Sequence, residues 1–328
     1  MKTSMRPALE VLGADTHANE LKRDHFRQVL AFIRKMPARI GSYPRWRTLS
    51  LSEVVKLASE DHPRLDPKTV NKYMGRVAQV MSWAEAEPLI EKNYASGVRV
   101  PPEEMQDDKS KREPFSDEAL SRIFSCAPFT APCSNAPSIY WMTLFALLHG
   151  MRSEEILQLR ATDFSQDDDG NWFFELHRRD GNTLKNKSAI REVPIHLKMQ
   201  MLRVESLIQK AAKRKGKRLI HDVPKGSENK FTSIFSKRFS RHLERIGAKT
   251  EQTVFHSLRH NFSDAARNNG VSEALKCAIA GWEFGSGVHT EYGSGFSKAN
   301  KLEAIAKIDY PGVDFSRIEI IDWDKGSS

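Results

Sequence analysis

The sequence predicts a mainly α-helical protein with one small β-sheet, built as a helical N-terminal domain followed by a larger α+β domain. Three observations predict it. Apolar residues recur at three- and four-residue spacing through most of the chain. That rhythm gives way to alternation over residues 171–195, and a polar, proline-marked stretch between Ala95 and Pro114 separates the two patterned regions. At 328 residues the chain exceeds one average domain and has room for a well-buried core. The expected boundaries are 1–97 for the N-terminal domain, 98–114 for a linker, 115–310 for the second domain and 311–328 for a C-terminal tail.

Residues 18–36 place Phe26, Val29, Leu30 and Ile33 at helical spacing opposite a basic face, and the pattern stops at Pro37. Ser50 and Glu53 have capping-box spacing ahead of Val54 and Val55. Asp66-Pro67 then reads as an N-cap followed by proline at the first helical position. In the helix that follows, Val70, Met74, Val77, Met81 and Ala84 form a core stripe, while Lys72, Tyr73 and Arg76 lie off it. Those three fit either a solvated face or a surface that meets a polyanion.

Beyond GVRVPPEEMQDDKSKREP, Ser116 is a helix N-cap, and IYWMTLFALL is too apolar for a surface helix, so it is expected at the centre of the second domain. In NWFFELH and IREVPI, Arg191, Val193 and Ile195 alternate with Glu192, which predicts a hairpin joined by the turn-rich RRDGNTLKNKS. Helical patterns resume afterwards, including KAAKRKGKR at 210–218, residues 234–246 and residues 256–268. The tail carries Ile318, Ile320 and Ile321 among acidic residues, suited to packing on a neighbouring copy or on its own domain.

Composition narrows the partner. With 51 Lys and Arg against 42 Asp and Glu, the formal charge is +9, which favours a polyanion through counterion release. Cys126, Cys133 and Cys277 lack the short paired spacing of a zinc site or disulfide framework, and a reducing cytoplasm is expected. The apolar run from Ile139 to Leu148 is too short to span a bilayer, and MKTSMRPALE has no signal-peptide core, so no membrane partner is expected.

Three segments carry chemistry. In HGMRSEEILQLR one helix ends at Gly150 and another begins at Ser153, with Arg152 in the corner between them. In HSLRH, His256 and Arg259 are one helical turn apart and could grip one phosphate. ALKCAIAGW closes a helix at Gly281 and presents Trp282, and Tyr292 follows between glycine-rich stretches. Taken singly, these are more often an ion-paired surface arginine, a half-buried histidine and a core or interface aromatic.

Order and spacing together resemble the tyrosine recombinase (phage integrase) family. HGMRSEEILQL is similar to its first arginine box, LKNKSAIREVPI to its hairpin lysine segment, HSLRH to its His-x-x-Arg box, and AGW with Tyr292 ten residues later to its final box. The stretch DPKTVNKYMGRVAQVMSWAEAEPLI also looks like the helical core-binding domain ahead of that family's catalytic domain.

The resemblance implies a phosphate clamp of Arg152 and Arg259, Lys185 as the hairpin lysine, His256 as the box histidine and Tyr292 as the nucleophile. Glu155 matches an acidic position that orients the site from behind. Trp282 replaces a histidine common in the family, and its indole N–H can still donate to a phosphate oxygen. Lys185 is favoured over Lys187 by the family's Lys-Thr-x-x-x-x-Arg form, with Asn186 in place of threonine. Lys72, Tyr73, Arg76 and Lys187 are then expected to contact DNA.

The implied reaction is site-specific cutting and rejoining of double-stranded DNA through a 3′-phosphotyrosine, with no metal or cofactor, by four protomers on two DNA sites passing through a Holliday junction. Relaxation of DNA by related topoisomerase chemistry, or DNA binding without catalysis on the same fold, are the alternatives.

Overall fold

The computed structural model describes residues 2–105, 112–214, 218–226, 229–284 and 295–323. It is mainly α-helical with one small sheet, and it divides into two compact units, Met1–Lys109 and Ser110–Ser328.

Among the described residues, the first unit packs four α-helices. Helix α1 (Lys2–Leu12) precedes α2 (Arg23–Lys35), whose Phe26, Val29 and Ile33 are fully buried. Helix α3 (Leu51–Leu57) begins on the expected box, in which Ser50 Oγ accepts from Glu53 N (3.1 Å) while Ser50 N donates to Glu53 Oε2 (2.8 Å). Helix α4 (Pro67–Ala86) is capped by Asp66, whose carboxylate accepts from Thr69 N at 2.8 Å, and it buries all five stripe residues. Val98 and Val100, at the start of the stretch read as a linker, lie in this unit's core.

In the second unit, α5 (Asp117–Phe124) starts at the Ser116 cap and leads to α6 (Ser138–His149), which is buried on every side but Ile139. A helix apolar all round needs cover from every direction. Helix α11 (Ser257–Asn268) packs along it and the sheet lies beside it, with Phe145 edge-on to Phe174. Between them in sequence run α7 (Ser153–Gln158), α8 (Leu197–Met201), α9 (Val204–Lys213) and α10 (Thr232–Arg245).

The sheet is antiparallel in the order β1 (Phe164–Gln166), β2 (Trp172–Leu176), β3 (Arg191–Pro194), with Phe174 opposite Val193 and Leu176 opposite Arg191. The basic stretch at 210–218 differs from the helical expectation. Helix α9 ends at Lys213, and Arg218 instead forms an isolated bridge to Arg160 and lies over the Phe231 ring at 3.8 Å.

Helices α12 (Glu273–Ala280) and α13 (Lys298–Ala306) follow, and Lys301 Nζ ties α13 to the Glu192 carbonyl at 3.0 Å. The tail packs on its own unit: Ile318 and Ile321 enter the core, Ile320 is exposed, and Glu319 N donates to Phe129 O at 2.8 Å. Among the described residues, no helix is long and apolar enough to cross a membrane.

Candidate active site

Helix α6 stops at Gly150 in the left-handed conformation (φ 60°), and Arg152 becomes the N-cap of α7. Glu155, in the first turn of α7, then serves two arginines. Its Oε1 takes a 2.7 Å ion pair from Arg152 Nη1, and its Oε2 accepts from Arg152 N at 3.0 Å and from Arg191 Nη2 at 3.1 Å. Burial alone would raise this carboxyl's pKa, but Arg191 and the Arg152 bonds outweigh it and hold the group below the usual range.

Arg191 projects from β3 to the C-terminus of α12, donating from Nε to Ile279 O (2.7 Å) and from Nη1 to Ala189 O (2.9 Å). Next to it, the Gly281 carbonyl accepts from Arg152 Nη2 at 3.3 Å. Gly281 has φ +67°, which other residues rarely adopt, and a Cβ there would run into the Arg191 guanidinium, so both features favour glycine.

Arg259 rises from the first turn of α11 with 2% of its surface exposed. Its Nη1 donates to the Gly150 carbonyl, and its guanidinium carbon sits 4.5 Å from the Trp282 ring centroid. Nη2 is buried and meets no hydrogen-bond acceptor among the described residues. Burial first, and then neighbouring Arg152, push its pKa down to about 9, which still leaves it charged at neutral pH.

His256 is the residue just before α11, exposed and perpendicular to His260 at a centroid distance of 5.5 Å. Lost hydration, and then the positive charges of Arg259, Arg152 and Lys185, lower its pKa to about 4. At neutral pH the imidazole is therefore uncharged.

Lys185 and Lys187 are both exposed in the turn between β2 and β3, with Lys187 opening a single 3-10 turn, Lys187–Ala189. The intervening Asn186 donates to Glu283 Oε1 at 3.0 Å, tying the turn to the residue after Trp282. Tyr292 lies outside the described residues. Arg152, Glu155, Arg259 and Trp282 thus come together, and His256 and Lys185 lie within electrostatic reach. In the first unit, Lys72 and Arg76 are exposed, Arg76 bonding Gln79 at 2.9 Å, and Tyr73 is half-buried against the helical core.

Sequence reasoning missed two residues here. Arg191 carried a signal, because a charged residue stood in the same strand phase as Val193 and Ile195, the phase that faces inward. Lys276 likewise shares the buried side of α12 with Ile279 and Ala280, and its ammonium lies 5.5 Å from the Trp282 ring centroid. Among the described residues, no three His, Cys, Asp or Glu side chains group as a metal site would require.

The family model of the phage integrase family matches residues 103–293. No curated protein matches the chain in sequence. Among solved structures, the Tn1549 transposon integrase in complex with transposon right end DNA has a TM-score of 0.53 at 16% identity, covering 92% of this chain and 91% of its own. The same integrase bound to a circular intermediate DNA gives 0.52 at 16%, covering 85% and 84%, and in another such complex 0.50 at 18%, covering 90% and 96%. At such identities the likeness establishes the fold alone.

Proposed function

Because the chain belongs to the phage integrase family of tyrosine recombinases, we propose that it is a site-specific DNA recombinase that cuts and rejoins strands through a 3′-phosphotyrosine formed by Tyr292. The observation that carries this reading is the buried Nη2 of Arg259, which lacks an acceptor among the described residues and lies in a cluster with Arg152, His256 and Trp282. Burying an unpaired donor on a charged group is costly, and a phosphate oxygen would complete it.

Attack on a phosphodiester builds negative charge on its non-bridging oxygens. Donors held in place beforehand stabilise that charge without reorganising. In this reading Arg152 and Arg259 take those oxygens with planar forks, and the Trp282 indole N–H donates to one of them. Glu155 and the Gly281 carbonyl hold Arg152 in register, and the Gly150 carbonyl does the same for Arg259.

Tyrosine, with a pKa near 10, needs help to attack at neutral pH. The surrounding cations favour the phenolate, and the phosphate's negative charge beside His256 would raise the basicity of its imidazole enough to take the phenolic proton. Lys185 donates a proton to the departing 5′ oxygen. The phosphotyrosine conserves the energy of the broken bond, so a 5′ hydroxyl of another strand reverses the step. Four protomers on two sites would exchange strands through a Holliday junction, in the cytoplasm with the DNA, and Lys72, Tyr73, Arg76 and Lys187 would add contacts to the duplex.

The test is covalent trapping on nicked suicide DNA carrying the native site, itself found by sequencing DNA trapped on the protein. Wild type is expected to form the adduct and Tyr292→Phe to bind without forming it. Equal trapping by Tyr292→Phe overturns the assignment. Relaxed supercoils with no recombinants would favour topoisomerase chemistry, and DNA binding by a wild type that forms no adduct would favour a non-catalytic role.

A further inference from the structure

Lys276 is 2% exposed although its stem is long enough to carry an ammonium to water. Its ion-pair partner Glu273, one turn earlier, has a side chain 57% exposed, so the pair could form at the surface. Instead Nζ turns inward, 2.7 Å from Glu273 Oε2, 3.1 Å from Ser263 Oγ of α11 and 5.5 Å from the Trp282 ring centroid. A buried ammonium is costly even when paired, and a methionine would fill similar volume without that cost. Filling the space therefore does not call for a charge, and beyond Glu273 and Ser263 the group this ammonium faces is the indole. Trp282 receives a second cation, Arg259, from a different helix.

We propose that Lys276 is a positioning residue for Trp282, its buried ammonium fixing, together with Arg259, the orientation of the indole that donates to the DNA phosphate. The inference rests on the proposed role of Trp282 as a phosphate donor, and Lys276 acts only through that ring. The torsion that turns an indole about its ring bond has broad wells. Apolar neighbours restrain it by shape alone. Cations on α11 and α12 add attraction to the electron-rich face, which falls off as the ring tips away from them.

The test begins on the full chain without DNA, labelled with ¹⁵N at its six tryptophans. The Trp282 indole N–H signal is identified by its loss in Trp282→Phe. Lys276→Met is expected to keep or raise the melting temperature while shifting and broadening that signal, and Lys276→Arg, which restores a cation, to return it towards wild type. Glu273→Gln, at the exposed end of the pair, should shift it less in the same direction, and it decides the matter if Lys276→Met does not fold. An unmoved, equally sharp signal in the decisive variant, or no recovery in Lys276→Arg, overturns the proposal.

In covalent trapping, Lys276→Met should slow adduct formation by about tenfold in the wild-type background but by less than about twofold beside Trp282→Phe, since a cation–π contact to a desolvated ring can reach that size. Equal slowing in both backgrounds would show that Lys276 does not act through the indole. If wild type forms no adduct while the indole signal behaves as expected, the cleavage reading fails and the positioning role stands.

Discussion

Arg191 Nη2 lies 3.1 Å from Glu155 Oε2, and both side chains are 4% exposed. The pair joins the lysine-bearing hairpin to α7, the helix that Arg152 caps. Removing either partner strands the other as a buried charge, at a cost of about 3–5 kcal/mol. Glu155→Met should therefore lower the melting temperature by roughly 10 °C. The double variant Glu155→Met with Arg191→Met should recover most of that stability but not covalent trapping, because Arg152 has still lost its carboxylate. Thermal melts read alongside trapping check both halves.

Gly281 offers a test of the same joint from the backbone side. Gly281→Ala forces a left-handed residue and a Cβ against Arg191, so at least about 1–2 kcal/mol of stability should be lost. Trapping should fall further than stability accounts for, since the Gly281 carbonyl bonds Arg152. A variant with wild-type melting and trapping would contradict this account.

Arg259→Lys keeps the charge but loses the planar fork and the contact spread over the Trp282 ring. Cleavage on suicide DNA is expected to drop by about 10²–10³-fold, the usual size for losing one donor to a developing oxyanion. Affinity for the same DNA should change far less, which a filter or gel measurement will show.

Stability should fall with acid. Burial drives the His149 pKa well below its ordinary value and lowers that of His196 to about 4, and His196 N donates to His149 Nε2 at 3.0 Å. The unfolded chain titrates these groups near 6.5 and so binds their protons first. The contribution of His196, about 3 kcal/mol, is complete above about pH 6.5 and is lost as pH falls from there towards 4, and that of His149 is lost over the same fall and beyond it. Replacing His196 with Gln should flatten the melting curve's dependence on pH between 7 and 5, at a lower starting stability.

Deleting residues 311–328 should destabilise the DNA-free protein. Val313, Ile318 and Ile321 leave the core with the tail, and each buried side chain of this size contributes about 1.5–3 kcal/mol. A drop in melting temperature with unchanged size in solution is the expected result.

Much of this was legible in the sequence because it rests on local physics. The α4 stripe, the Asp66 cap, the Gly150 corner and the hairpin all follow from spacing or from one residue's backbone preference. Helix α1 was not legible, because Pro7 lies inside it and argues against a helix. Contacts from afar sustain it instead: Ala8 is buried, and Glu10 accepts from Leu51 N and Ser52 N at 3.0 and 2.5 Å at the start of α3. Strand β1 is three residues long, too short for alternation to register, and exists by pairing with β2.

At the site, the arginines and the histidine stood out because motifs name them. Arg191 and Lys276 belong to the site through which groups they face after folding, and no spacing rule encodes that. The sharing of Glu155 between two arginines was invisible for the same reason, since its second partner arrives from 36 residues away.

A helix without a wet face also constrains how the protein is made. The ten residues from Ile139 to Leu148 leave the ribosome more than a hundred residues before α11, which covers them, is complete at Asn268. Until then a nascent chain displays a continuous greasy segment of the sort that invites chaperones or aggregation. Split or truncated versions that end ahead of α11 should accumulate in the insoluble fraction, whereas cuts in the polar stretch before Ser116 leave each half its own interior.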